Sequence, residues 1–459
     1  MKLKTIVASL VALGLSGPIL AAQPYYMDTS YQLDVMRDEM NKVDMILDRN
    51  QPGGFDQPCG WTCRINLSGW INTDAYLGNQ PPVFLIDNPK FSATSTAPQP
   101  SITNFPLIPS NGRASDLVLN NANLFVDTRI NNWVSAMMSL VYTSLTPLPR
   151  STGPYAIPNS LFVQHPVNRT NLDTAYMTIG NFQATPVYLR VGKAYVPFGQ
   201  SDPYSFVQSD NPTQLFTVTN QTVAQLGFVL PNGFHGAAYT FPGNPRLSDL
   251  GSTRRIQNGG VDLGFDWMLP VGKINFDAGY IANIADSNYL SSYYLNQSIE
   301  LTLQPGLPNR KTPAWNFNTD MTFGPFDINA SYISTTRRLP YPLGLAVFSP
   351  LGQIPYSKKP IVWGVETGLT FPVATHQSRV ALGWQQTTHL PTLLPRKRLY
   401  IDYLVNFAKW FDVGVAVIQN RDYNVGEGAI SSATGNIVSL GATNNKSTFG
   451  QLRASIKFA

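Results

Sequence analysis

The chain reads as all-β, a transmembrane antiparallel β-barrel of about sixteen strands preceded by a short periplasmic coiled-coil-like helix. Three observations carry that reading. An export signal opens the sequence. Apolar residues then recur at every second position from Arg64 onward. Short and long connections alternate along the remainder of the chain.

Residues 1–22 have the order of a secretory signal. Lys2 and Lys4 precede an apolar run, Ile6 to Leu15, then Gly17-Pro18 and a small-residue exit at Ala21-Ala22. The run is too short for a retained membrane helix, which needs about 18 or more apolar residues. Removing the signal takes two lysines and no acids, so the net charge falls from +5 to +3. That balance is too mild to point to nucleic acid. Charged residues make up 13% of the chain and aromatics 12%, against roughly 25% charged in ordinary soluble domains. No later stretch has the length of a transmembrane helix, but transmembrane strands leave almost no hydropathy signal. The expected location is the outer membrane of a Gram-negative bacterium, with outer-membrane lipid and the barrel-assembly machinery as partners.

Residues 23–50 contain "YQLDVMRDEMNKVDMILDRN", in which Leu33, Met36, Met40, Val43 and Leu47 follow coiled-coil spacing. Asp28-Thr29-Ser30 offers capping residues and "NQPGG" stops the helix. It can lie against the barrel base, or it can join copies of the chain into a homotrimer. Residues 51–63 read as a linker holding the chain's only cysteines, Cys59 and Cys63. A close pair in an oxidising compartment predicts a small disulfide.

Residues 64–459 are the expected barrel. "RINLSGWINTDAYL" sets Ile65, Leu67, Gly69 and Ile71 against Arg64, Asn66, Ser68, Trp70, Asn72 and Asp74. "NLFVDTRI", "GVDLGFDWML" and "PAWNFNTDMTF" repeat the pattern with one apolar and one polar face. Short turns at Asn131-Asn132, 182–186, Pro231-Asn232, 270–272, Gly324-Pro325, 372–377 and 408–410 alternate with long polar connections. The long ones are 78–115, 144–171, 197–220, 242–257, 285–312, 337–359, 389–396 and 422–446. Outer-membrane barrels alternate this way, with short turns on the periplasmic side, whereas sandwiches follow no such rule. Leu452, Ala454, Ile456 and Phe458 share the apolar face of the last strand.

The polar parity assigns residues to the lumen. The candidates for lining a pore are Arg64, Trp70, Asp74, Asp127, Arg129, Tyr188, Arg190, Asp262, Asp266, Asp320, Glu366 and Arg453, with Asp402 and Lys457 beside them. Both signs occur and no ring of one sign is evident, so most of these charges are expected to pair across the lumen. A barrel of about sixteen strands usually encloses a water channel. Catalysis is not expected: no G-x-S-x-G, phosphate loop or zinc motif occurs, and His165, His235, His376 and His389 are scattered. No cofactor is expected. A plugged, energy-coupled receptor would need about 22 strands and a plug, for which the residues before the first strand are too few.

The helix, together with "TAYMTIGNF" and "PVYLRVGKAYVPFGQ" between Thr174 and Gln200, resembles the LbtU-type siderophore porins. The most specific phrase is "VGKAYVPFGQ", although similar phrases occur in other porins. The resemblance implies a plug-less barrel that takes up an iron–siderophore complex, and it brings no residue-level binding motif. A general or weakly anion-favouring diffusion porin is the alternative, on the mild basicity and luminal arginines. A structural or adhesive surface protein is a third reading, on the long loops rich in Ser, Asn and Pro.

Overall fold

The computed structural model describes residues 65–79, 113–131, 133–145, 167–182, 184–199, 205–207, 212–243, 256–288, 290–291, 311–339, 359–390, 394–421, 423, 429–431, 437–439 and 446–458. The first strands are β1 (Ile65–Asn79), β2 (Arg113–Arg129), β3 (Val134–Leu145), β4 (Val167–Ile179) and β5 (Val187–Tyr195). A short helix, α1 (Pro212–Thr217), leads to β6 (Asn220–Val229), β7 (Phe234–Phe241), β8 (Asn258–Leu269) and β9 (Gly272–Ile281). Then come β10 (Ala314–Phe323), β11 (Phe326–Thr335), β12 (Ile361–Val373), β13 (His376–Thr388), β14 (Lys397–Ala408) and β15 (Phe411–Arg421). The last long connection holds a separate hairpin of β16 (Ala429–Ser431) and β17 (Ile437–Ser439), and β18 (Lys446–Phe458) ends the chain.

Every wall strand pairs antiparallel with its sequence neighbour, and β1 pairs with β18 to close the ring. The wall therefore has the sixteen strands that the alternation predicts, and the long and short connections fall where expected. Closure leaves no edge with unpaired backbone groups, a requirement for strands that face lipid.

The pleat sends alternate side chains to opposite faces. Leu117, Leu226, Leu263 and Phe317 are each more than half exposed on the outer face. Asn72, Asp74, Asn123, Glu366, Arg398 and Arg453 are buried on the inner one. At the short-turn end the outer face carries aromatic pairs: Phe234 with Phe265 at 4.7 Å, and Trp410 with Phe411 at 5.8 Å. Such rings suit an interface between water and an apolar layer.

The interior is not an empty tube. Val196, Phe198 and Phe216 from the connection after β5 are buried in one apolar cluster, with Ile284 and Leu290 from the connection after β9. Leu390 and Leu394 join it, against wall residues Trp70, Phe125 and Val362. Helix α1 contacts β11, β12 and β13. The chain after β5 thus crosses the lumen from one wall to the far one, where the sequence suggests only an external loop.

The expected signal, helix 23–50, linker, Cys59–Cys63 bridge and Arg64 lie outside the described residues.

Candidate functional site

The inner wall of the barrel carries the polar chemistry, and register decides what meets what. On the closing seam Asp74 of β1 and Arg453 of β18 are direct cross-strand partners. Arg453 donates twice, Nε to Asp74 Oδ1 at 2.7 Å and Nη2 to Oδ2 at 2.8 Å. The Tyr76 hydroxyl donates to Asp74 Oδ2 at 2.9 Å. The guanidinium also lies 5.5 Å from the ring centre of Phe206.

Phe206 belongs to a three-residue clip, Ser205 to Val207, that fastens the inward segment to this wall. Its ring occupies the space over Gly414, where an added Cβ would lie 2.5 Å from Phe206 Cε1. Tyr400, Leu404, Ala416 and Ile418 complete the apolar seat. Ser205 donates its backbone N–H to Glu366 Oε1 at 2.8 Å and its hydroxyl to Asp402. The Tyr400 hydroxyl donates to the other Glu366 oxygen. Arg379, Arg398 and Arg453 are buried around these two carboxylates, so charges of both signs share the covered wall.

Across the lumen Arg190 of β5 is stacked rather than free-standing. Its guanidinium carbon is 4.5 Å from the Tyr176 ring centre and 5.8 Å from that of Tyr188. Only 9% of Arg190 is exposed. The Tyr188 hydroxyl accepts from Gln225 Nε2 at 2.9 Å.

The wall from β7 to β11 is acidic. His235 Nε2 is 3.0 Å from Asp277 Oδ1, and its Nδ1 is 3.5 Å from Asp266 Oδ2. Lys273 Nζ is 3.2 Å from Asp266 Oδ1. Asn275 Nδ2 donates to Asp266 at 2.9 Å, and Asn329 Nδ2 donates to Asp320. Among the described residues no three His, Cys, Asp or Glu groups converge to hold a metal ion.

Trp70, Asp74, Asp127, Arg129, Tyr188, Arg190, Asp262, Asp266, Asp320, Glu366 and Arg453 all occupy the inward parity of their strands. They are not one site. Asp74 and Arg453 meet directly, and Glu366 and Asp402 meet through Ser205. Trp70 packs its ring 4.8 Å from Phe125. Asp262 and Asp266 share the acidic wall with Asp320, while Arg190 stands apart from these groups. Lys457, also beside the candidates, pairs with Asp412 at 2.5 Å. Residues that parity passed over are Ser205 and Phe206, Arg379 and Arg398, and the asparagines Asn275 and Asn329. Apolar residues inside a long "loop", such as Phe206-Val207 and Phe216, were the available sign that the segment turns inward.

Two outward residues behave differently from the simple alternation. Lys193 and Tyr195 both fall on the outer face of β5 by parity. A bulge between Ser139/Thr174 and Leu140/Leu172 leaves Asp173 as an extra residue. Asp173 accepts from the Tyr195 hydroxyl at 2.8 Å and from Asn220 Nδ2 at 3.1 Å. Lys193 lies within electrostatic reach of it and donates to the Leu172 carbonyl. The charges on this face are thus held together beside one strand end.

No family model matches the chain. It is similar to a UPF0422 protein of Legionella pneumophila, 24% identical over 378 residues that cover 76% of this chain and 66% of that one. A UPF0422 protein of Coxiella burnetii is 24% identical over 331 residues, 70% of this chain and 62% of the relative. The chain therefore spans a little under two thirds of the length of these curated relatives. Among solved structures, the outer membrane channel DcaP of Acinetobacter baumannii superposes with a TM-score of 0.49 at 11% identity, over 86% of this chain and 97% of that one. Pseudomonas putida OprB does so with a TM-score of 0.49 at 9% identity, over 92% and 97%. At these scores the likeness assigns no role to any residue.

Proposed function

We propose that this chain is an outer-membrane channel through which a small polar solute crosses, and that its cargo is an iron–siderophore complex. The observation that carries the passage reading is the closed wall of sixteen antiparallel strands, apolar outside and lined with ionisable groups inside. Barrels of this size usually enclose a water-filled lumen. The inward segment after β5 narrows that lumen, so the wall under it and the wall opposite select what passes. The siderophore rests on the resemblance of Thr174–Gln200 to siderophore porins. In this reading residues 1–22 direct export and are removed, the 23–50 helix stands in the periplasm, and Cys59 and Cys63 are bridged. The luminal candidates that the inward segment leaves uncovered line the route, and transport proceeds without covalent chemistry. A general diffusion channel is the second reading, favoured by the mixed signs of the inner wall.

Two measurements test this. Purified chain in planar bilayers should conduct, and a protein that never opens a conductance would leave only a structural or adhesive role. Radiolabelled iron–siderophore should enter a strain lacking all other receptors for it only when this chain is supplied. Conductance without that uptake would reject the siderophore and keep the general channel.

A further inference from the structure

Most inward side chains of the wall are polar, as a water-filled lumen requires. Toward the long connections they are not. Val223 of β6, Phe241 of β7, Ile281 of β9, Ala314 of β10, Ile333 of β11 and Val362 of β12 face inward near the strand ends that lead into those connections. None is more than 1% exposed. They share one apolar cluster with Phe216 of α1, with Ile284 beyond β9, and with Trp70 of β1 and Phe125 of β2. On the remaining arc Phe206 and Val207 pack against β14 and β15. Apolar packing among the described residues therefore crosses the lumen from wall to wall. Side chains that line a wetted pore would not be this dry.

The wall beneath this packing is suited to water. Asn316 of β10 is the next inward residue after Ala314 and stands opposite Ile333. It is 1% exposed, and neither end of its amide has a hydrogen-bond partner in the protein. A buried amide without a partner carries its full desolvation cost, which entry of water would relieve. The inward segment after β5 can also swing as a unit. Its two ends are tied to each other, the Val196 N–H to the Thr219 carbonyl at 3.0 Å and the Thr217 hydroxyl to the Gly199 carbonyl at 3.4 Å. A segment closed at its neck moves about that neck and leaves the strands on either side in place. At its far side Ser205 fastens it, with the N–H on Glu366 and the hydroxyl on Asp402.

We propose that this packing is a hydrophobic gate. The lumen is shut in the conformation described here, and it opens when the Ser205–Val207 clip leaves the far wall and α1 withdraws from the apolar face. An apolar constriction blocks ions because water does not fill it. The inference rests on the passage reading above and adds that passage is intermittent, with the clip as the latch.

The test uses the full chain in planar bilayers, recorded as single channels in KCl. Wild type should dwell at a closed level broken by openings. Ser205→Cys with Asp402→Cys replaces two side chains in direct contact, so the thiols can be joined as a disulfide or by a short thiol-bridging reagent. Joining them should abolish the openings, and dithiothreitol should restore them. Wild type given the same reductant controls for Cys59 and Cys63. Val362→Thr keeps the shape of a gate residue and adds a hydroxyl, and it serves if the cysteine pair fails to assemble. It should raise the open fraction by about fivefold or more, the low end of what an unbonded buried hydroxyl costs the closed state. A silent wild type beside a conducting Val362→Thr also supports the gate. Openings unchanged by the cross-link, or a steady open level indifferent to Val362→Thr, overturn the gate while the channel stands. No conductance from wild type, the reduced pair or Val362→Thr overturns the channel itself.

Discussion

Consider the substitution Asp74→Asn, which keeps the shape of the side chain and removes its charge. Asp74 and Arg453 are 0% and 1% exposed at the side chain, joined by two hydrogen bonds across the seam that closes the barrel. In the variant the Arg453 guanidinium stays buried, with the Phe206 ring at 5.5 Å and Asp402 within electrostatic reach. Removing one partner of a buried ion pair costs about 3–5 kcal/mol, because the other charge is left without its counterion. Arg453→Met, which takes the guanidinium away from the buried Asp74 carboxylate, should cost as much. The two together replace a charged pair by neutral groups, and such replacement is often close to neutral. The double variant should therefore be more stable than either single one, so the two effects should be far from additive. Reversible urea unfolding in lipid vesicles, followed by tryptophan fluorescence, measures all four corners of the cycle. Single variants within about 1 kcal/mol of wild type would place the pair in the solvated class. Additive effects would show that the seam does not depend on this contact. Either result would refute the reasoning.

Two further outcomes follow from close approaches of backbone and ring. Gly192 has φ +138°, and a Cβ there would meet the Ala175 carbonyl oxygen at 2.3 Å and the Tyr176 Cα at 2.5 Å. Gly192→Ala should thus cost about 1–3 kcal/mol and lower the yield of folded, heat-resistant barrel on gels, whereas Gly450→Ala, whose nearest atoms are at 3.7 Å, should be tolerated. Phe206→Ala empties the seat over Gly414 and should raise single-channel conductance. Unchanged conductance with an intact barrel would mean that the clip does not narrow the route.

What the sequence could reveal depends on how strictly each environment is imposed. Lipid tolerates only apolar side chains along a wall, so the period of two is visible from Leu117 to Leu452 without any tertiary knowledge. The turns alternate in length because every second connection is confined to one rim. Parity then places Arg190 and Asp266 inside by the same rule. It says nothing of height or of neighbours more than one strand away, which depend on register. The pairing of Asp74 with Arg453 joins residues at opposite ends of the chain, and no local pattern encodes it. The bulge that brings Asp173 beside Lys193 is likewise set by one extra residue between two otherwise regular strands. The inward course of Phe206 and Phe216 did leave a trace, since solvent-facing loops do not usually retain buried-type phenylalanines.

Register also separates two uses of charge on one inner surface. On the β12–β18 side, buried arginines and carboxylates interlock beneath Ser205 and Phe206, and burial of unlike charges together favours a fixed arrangement over a passing ligand. On the β8–β11 side Asp266 is met by Lys273, His235 and the Asn275 amide. The first wall resists change because unlike charges are packed together there beneath the inward segment. Asp74→Asn disturbs that packing. Its effect should therefore register in stability, with the barrel wall still closed.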